Sequence, residues 1–144
     1  MDFSNHANQV IKEKGYRLTK QKELVLKTLS QTSTPLNAYE IASKIKDLGH
    51  KIDTSTVYRI LEVYKSIKLI HYSKEANGYT LCHKSECSNK KHCHHQFICK
   101  KCNKVEEVHL DDEKFIKKFQ RQFKDLLVQD HYFEFLGLCN SCNP

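Results

Sequence analysis

Hydrophobic positions in the first half of this chain recur every three to four residues, the spacing of helices that bury one face. Ala7, Val10 and Ile11 share a side of a segment running from His6 to Lys14. Leu24, Val25, Leu26 and Leu29 do so in a second segment, which Thr19 can cap and which ends near Ser30. Pro35 blocks any continuation, and Asn37 caps a third helix whose Ala38, Ile41, Ala42, Ile45 and Leu48 face inward before Gly49 ends it. A fourth opens at Asp53 or Thr54 with Val57, Ile60, Leu61 and Tyr64 on its stripe. The period then falls to two: Leu69–Ser73 and Gly78–Cys82 are short β-prone runs joined by Lys74 to Asn77, which predicts a hairpin.

Two helices across a short turn followed by a hairpin describe a winged helix-turn-helix, in which the second helix of the pair enters the major groove. The outward face of the fourth helix carries Ser55, Thr56, Tyr58, Arg59 and Glu62. Short hydroxyls, an aromatic ring and a guanidinium are groups that contact phosphates and bases. An ordinary helical bundle with a β-ribbon would not require that face.

Residues 83–94 break the pattern; they are polar, rich in histidine and cysteine, and read as a linker. Beyond them Gln96–Cys99 and Lys104–His109 read as strands and Asp112–Val128 as one amphipathic helix with Phe115, Ile116, Phe119, Phe123, Leu126 and Leu127 on its apolar face. His131–Cys139 reads as an alternating strand. The expected class is therefore α+β: a winged helix-turn-helix domain over 1–82, a linker over 83–94, and a small α+β domain over 95–144. About 50 residues rarely hold together without a staple or a second subunit.

The staple is visible. Cys99/Cys102 and Cys139/Cys142 form two Cys-x-x-Cys pairs separated by 36 residues. Four thiolates from two chelating turns are the pattern of a closed structural zinc site. Seven cysteines, an odd number, in a chain whose first residues lack the layout of a signal peptide favour metal or redox thiolates over a disulfide framework, and a cytoplasmic setting. Formal net charge is +7: residues 1–82 carry 13 Lys/Arg against 8 Asp/Glu, residues 83–144 carry 11 against 9. The excess sits in the half with the helix-turn-helix pattern and suits a polyanionic partner. No apolar run reaches the length of a membrane span.

The stretches Gly15–Lys22, Asp53–Leu61, His94–Val105 and Gly137–Cys142 resemble, in order, those of the ferric-uptake-regulator family of metal-sensing repressors. The resemblance implies a homodimer with an N-terminal winged helix and a dimerisation and zinc-binding domain over 95–144, occupying operator DNA when metal is bound. Asn37–Ile41 and the wing, with Leu69–His71 and Gly78–His83, are most similar to the zinc-uptake regulators. Residues 33–38 lack the histidine typical of iron sensors there, and Cys93-His94-His95-Gln96 departs from their histidine run. By that resemblance the sensory ligands are His71, Cys82, His92 and Glu107, with His94 as the alternative from the linker. One thiolate, two imidazoles and a carboxylate make a borderline-soft tetrahedral set suited to Zn2+ ahead of Fe2+ or Mn2+. A further family site maps onto Cys93 or His95, Asp112 or Glu113, and His131. Arg17, Lys22, Ser55, Thr56, Tyr58 and Arg59 are the expected DNA contacts.

Two other classes compete. A zinc hydrolase would use Glu106 or Glu107 as base, but the chain has no His-Glu-x-x-His or deaminase-type arrangement. A thiol redox switch would use Cys87 and Cys93. An iron or peroxide sensor is the alternative within the family; no small-molecule substrate and no membrane partner is expected.

Overall fold

The computed structural model of the chain describes residues 3–82, 94–129 and 131–144, and for residues 3, 4 and 94 the backbone alone. The first half comprises α1 (Phe3–Glu13), α2 (Lys20–Ser30), α3 (Ala38–Asp47), α4 (Thr54–Ser66) and the hairpin β1 (Ile70–Ser73) and β2 (Gly78–Leu81). The helix starts follow the capping chemistry. Thr19 accepts from the Lys22 amide, and Asn37 and Glu40 form a reciprocal capping box. Gly49, at φ +86°, takes the left-handed conformation just past α3. Leu48 therefore sits at the helix cap, beyond the stripe, and is 56% exposed rather than facing inward.

One continuous core joins these elements through Ile11, Val25, Ile41, Ile45, Val57 and Leu61, all fully buried. Tyr64 crosses it to donate its hydroxyl hydrogen to the Lys22 carbonyl at 2.6 Å. The α2–α3 connection adds a third edge to the wing, because Leu36 and Tyr79 exchange two backbone hydrogen bonds. Gly78 allows that approach: a Cβ there would lie 2.7 Å from the Pro35 Cβ.

The second half comprises β3 (His94–Cys99), β4 (Val105–His109), α5 (Glu113–Gln122) and β5 (Glu134–Gly137). Its sheet runs β4-β3-β5, with β3 antiparallel to β4 and parallel to β5. The helix is shorter than its apolar pattern suggests. It ends at Gln122 because the Gln120 side chain donates to the carbonyls of Phe123 and Leu126 and accepts from the Val128 amide, folding the chain back on the helix end. The last strand is likewise limited to the four residues that pair with β3. No residue of α5 is buried, and Phe115, Phe123, Leu127, Phe135, Leu136 and Leu138 are all exposed.

The halves meet along the wing. The Val105 amide donates to the Ser33 carbonyl at 3.2 Å, Gln96 Nε2 donates to Thr80 Oγ1 at 2.5 Å, and the Tyr132 ring lies on His71.

Candidate metal centres and nucleic-acid face

The parallel register of β3 and β5 sets Cys99 beside Gly137, and the Lys100 amide donates to the Gly137 carbonyl at 2.8 Å. This pairing lays the two Cys-x-x-Cys turns side by side. Each turn is closed by its own backbone: the Asn103 amide donates to the Cys99 carbonyl, and the Cys142 and Asn143 amides to that of Cys139. Asn103 supplies the left-handed residue of the first turn, at φ +58°.

All four sulfurs fall within 4.8 Å of one another. The Cys102–Cys139 separation of 3.7 Å is far too long for a disulfide and close to the edge of about 3.8 Å in a tetrahedron with zinc–sulfur bonds of about 2.3 Å. Backbone N–H donors from Cys139, Cys102 and Lys101 lower the Cys99 thiol to about 6. Hydrogen bonding to Cys139, then burial, raises Cys142 to about 12. Four thiols this close cannot all ionise without a cation between them, and that is the electrostatic demand a dication satisfies.

A second set gathers His95, Asp112 and His131 within 4.8 Å. His95 Nε2 lies 2.8 Å from Asp112 Oδ2, and His131 Nε2 meets the same oxygen. Burial raises the Asp112 carboxyl, but the bonds from His131 and His95 more than offset it and leave it below its ordinary value. The fully buried His95 accepts the Phe133 amide on Nδ1 at 3.1 Å, so its neutral ring carries the proton on Nε2. A metal held through that nitrogen would require the proton to leave and the Phe133 amide to turn away. Glu113 is not part of this set; it pairs with Lys117 at 2.6 Å in solvent. Cys93 lies outside the described residues.

The expected sensory ligands straddle the halves. His71 lies on β1, the buried Cys82 follows β2 with its amide on the Leu69 carbonyl, and Glu107 lies on β4. His92 is outside the described residues, and His94 is described by its backbone alone. Among the described residues His71, Cys82 and Glu107 do not close to the 4.8 Å that gathers the other two sets. Tyr132 is common to all three. Its ring stacks on His71 with centroids 4.9 Å apart, and its phenol is pushed up by burial and then by Glu134, Cys82 and Glu107. Beside them a cavity of about 250 Å³ opens between the halves, lined by Ser30, Thr32, Ser33, Thr80, Gln96 and Glu107 among others.

The outer face of α4 presents Ser55, Tyr58 and Arg59 to solvent, with Thr56 half-buried at its edge. Arg17 is exposed ahead of α2. Lys22 Nζ donates to the Arg17 carbonyl at 2.7 Å and lies 5.6 Å over the Tyr16 ring, so in this structure it braces the loop that carries Arg17. Tyr39, unremarked in the sequence, is 67% exposed and packs edge-on against Tyr58 at 6.3 Å. Gln96 and Tyr132 were also missed, since nothing in their spacing marks a contact made only when the halves meet.

Residues 13–135 match the model of the ferric uptake regulator family. The chain belongs to that family. Family members are metal-responsive transcriptional regulators rather than enzymes, which removes the hydrolase alternative. Similar relatives include a ferric uptake regulation protein of Bacillus subtilis, 29% identical over 90% of this chain and 87% of its own length. A peroxide-responsive repressor of Staphylococcus saprophyticus is 26% identical over 92% and 86%, and a zinc uptake regulation protein of Escherichia coli 25% over 94% and 78%. Among solved structures, a zinc uptake regulator complexed with zinc and DNA superposes with a TM-score of 0.83 at 24% identity, covering 98% of this chain and 93% of that one. Holo XcZur gives 0.77 at 25% identity over 97% and 96%, and apo XcZur 0.54 at 24% over 99% and 96%. Among the described residues no helix is long and apolar enough to cross a membrane.

Proposed function

We propose that this chain is a zinc-responsive transcriptional repressor that grips palindromic operator DNA as a homodimer when an ion fills the site between its halves. One observation carries the reading: the candidate donors are split, with His71 and Cys82 on the wing and Glu107 on β4. An ion taking all three binds well only when the wing is docked, so it discriminates between docked and undocked arrangements. Moving such an equilibrium from mostly open to mostly closed needs about 5.5 kcal/mol of differential affinity. Zinc binding, at about 10–16 kcal/mol for structural sites, is large enough to supply it.

A sulfur–nitrogen–oxygen set favours zinc over a hard octahedral ion. His92 or His94 is the fourth ligand in this reading. Cys99, Cys102, Cys139 and Cys142 hold a permanent zinc that fixes the second half. His95, Asp112 and His131 form a hydrogen-bonded knot that takes a metal only after losing a proton. The exposed apolar residues of α5 and β5 give a second copy a surface to cover, and a dimer would set two α4 helices for two half-sites. Tyr58 and Arg59, with Tyr39 packed on Tyr58 and with Arg17 ahead of α2, meet the groove and its phosphates in the cytoplasm.

The test is a gel-shift titration on duplex selected from a random pool, after a mild chelator has emptied the weaker site but left the four-cysteine zinc. Zinc should restore binding to the wild type, and Cys82→Ser should stay folded and dimeric but unresponsive. A zinc response in Cys82→Ser equal to that of wild type overturns the sensory assignment. Restoration by iron or manganese in place of zinc favours the iron- or peroxide-sensing alternative, since the chain is also similar to a ferric uptake regulation protein and a peroxide-responsive repressor.

A further inference from the structure

We propose that Tyr132 positions the metal-binding imidazole of His71, and that its hydroxyl donates to an anionic ligand atom of the same site. The proposal rests on the interdomain site described above and adds a residue outside the ligand set that the family resemblance implies.

The two rings come from opposite halves, His71 from β1 of the wing and Tyr132 from the segment leading into β5, and lie nearly parallel at 19°. A ring laid flat on an imidazole removes its freedom to rotate out of plane, which fixes the direction in which a ring nitrogen points. Tyr132 can impose that direction because its own segment is pinned. The neighbouring Phe133 carbonyl accepts the Gln96 amide at 3.1 Å, and the Phe133 amide donates to His95 Nδ1.

The grip is two-pointed. Thr80 is the cross-strand partner of His71, and its hydroxyl receives the Gln96 side-chain amide. One cross-strand pair of the wing is thus held by Gln96 and by Tyr132, whose chain neighbour Phe133 accepts the Gln96 amide. Docking the wing and orienting His71 are the same event.

The Tyr132 hydroxyl is buried and has no hydrogen-bond partner among the described residues. A phenol hydroxyl is a donor, and a buried donor seeks an acceptor. The anionic donors that the interdomain site offers are Cys82 at the end of β2 and Glu107 on β4, and Tyr132 already packs on the His71 that would share the ion with them. Cys82 and Glu107 become anionic ligand atoms when an ion is bound. A hydrogen bond to either would hold that atom in place and stabilise its ionised form.

The test replaces the ion of the weaker site with Co2+ while the four-cysteine site keeps zinc. The readouts are the sulfur-to-cobalt absorption, the ligand-field bands and the affinity by competition, alongside thermal melting before cobalt is added. Tyr132→Phe keeps the ring and should weaken cobalt by about ten-fold, the low end of outer-shell losses. Tyr132→Leu should weaken it by up to about a hundred-fold and shift the ligand-field bands, with dimer and melting curve unchanged. Wild-type affinity in Tyr132→Phe overturns the hydroxyl's role even if Tyr132→Leu fails to fold. Wild-type bands and affinity in Tyr132→Leu overturn the stacking role. A wild-type spectrum that Cys82→Ser leaves unaltered overturns the site itself, and this proposal with it.

Discussion

Removing the four-cysteine zinc should unfold the second half of the chain and leave the first half standing. The two halves are built differently. In the first, α1–α4 and the wing share one continuous core. In the second, among the described residues, the buried apolar side chains are Ile98, Cys99 and Cys139, the other buried residues are His95 and Gln96, and α5 buries none. Three side chains at about 1.5–3 kcal/mol each contribute less than about 10 kcal/mol. A zinc ion bound with about 10–16 kcal/mol exceeds what those three side chains supply.

Cys102→Ser removes the most exposed of the four ligands and perturbs packing least. In that variant, or after exhaustive chelation, amide NMR signals from residues 95–144 should collapse to random-coil positions while those of α2, α3 and α4 stay dispersed. Calorimetry should show one transition in place of two. A chelated protein that keeps all its dispersed signals would refute the reasoning, because hydrogen bonds and three buried side chains would then suffice.

Arg59→Ala should weaken operator binding by about 1–3 kcal/mol if it reads guanine and relax preference at one base pair, whereas Arg17→Ala should lower the salt slope by about one, both measured by salt-dependent anisotropy. Gln96→Leu and Thr80→Val should each shift the zinc midpoint for DNA binding upward by roughly two- to ten-fold, and the double variant should be no worse than the singles, since both delete one bond. Tyr64→Phe should cost about 1 kcal/mol at neutral pH, from the lost bond to Lys22. Burial raises the folded phenol above its unfolded value of about 10, so its contribution is complete below that pH and is lost as pH rises past it. Denaturant melts should therefore weaken in alkali for wild type more than for Tyr64→Phe.

The first half was legible because each of its signals is local. Thr19 and Asn37 cap helices within a few residues of themselves, and Ile41, Ile45, Val57 and Leu61 repeat with the period of the helix they line. Leu48 misled because Gly49 stops the helix one residue before the stripe would have buried it. In the second half the four cysteines were legible as a set, since a short spacing already implies a shared turn. The end of α5 was not. It is decided by the Gln120 side chain reaching the residues that follow, while the apolar pattern runs on regardless. Nor could sequence have shown Tyr132 over His71 or Gln96 on Thr80, because both contacts join residues whose meeting depends on how the wing docks.

On the proposed function, an ion that joins the wing to the second half becomes grip on DNA. Operator affinity measured by fluorescence anisotropy across a buffered free-zinc series, with the four-cysteine site kept full, tests it most directly. Affinity should rise by about 5- to 150-fold as zinc fills the weaker site, and fall back when a chelator empties it. Equal affinity for the same duplex with that site empty and filled would contradict the account.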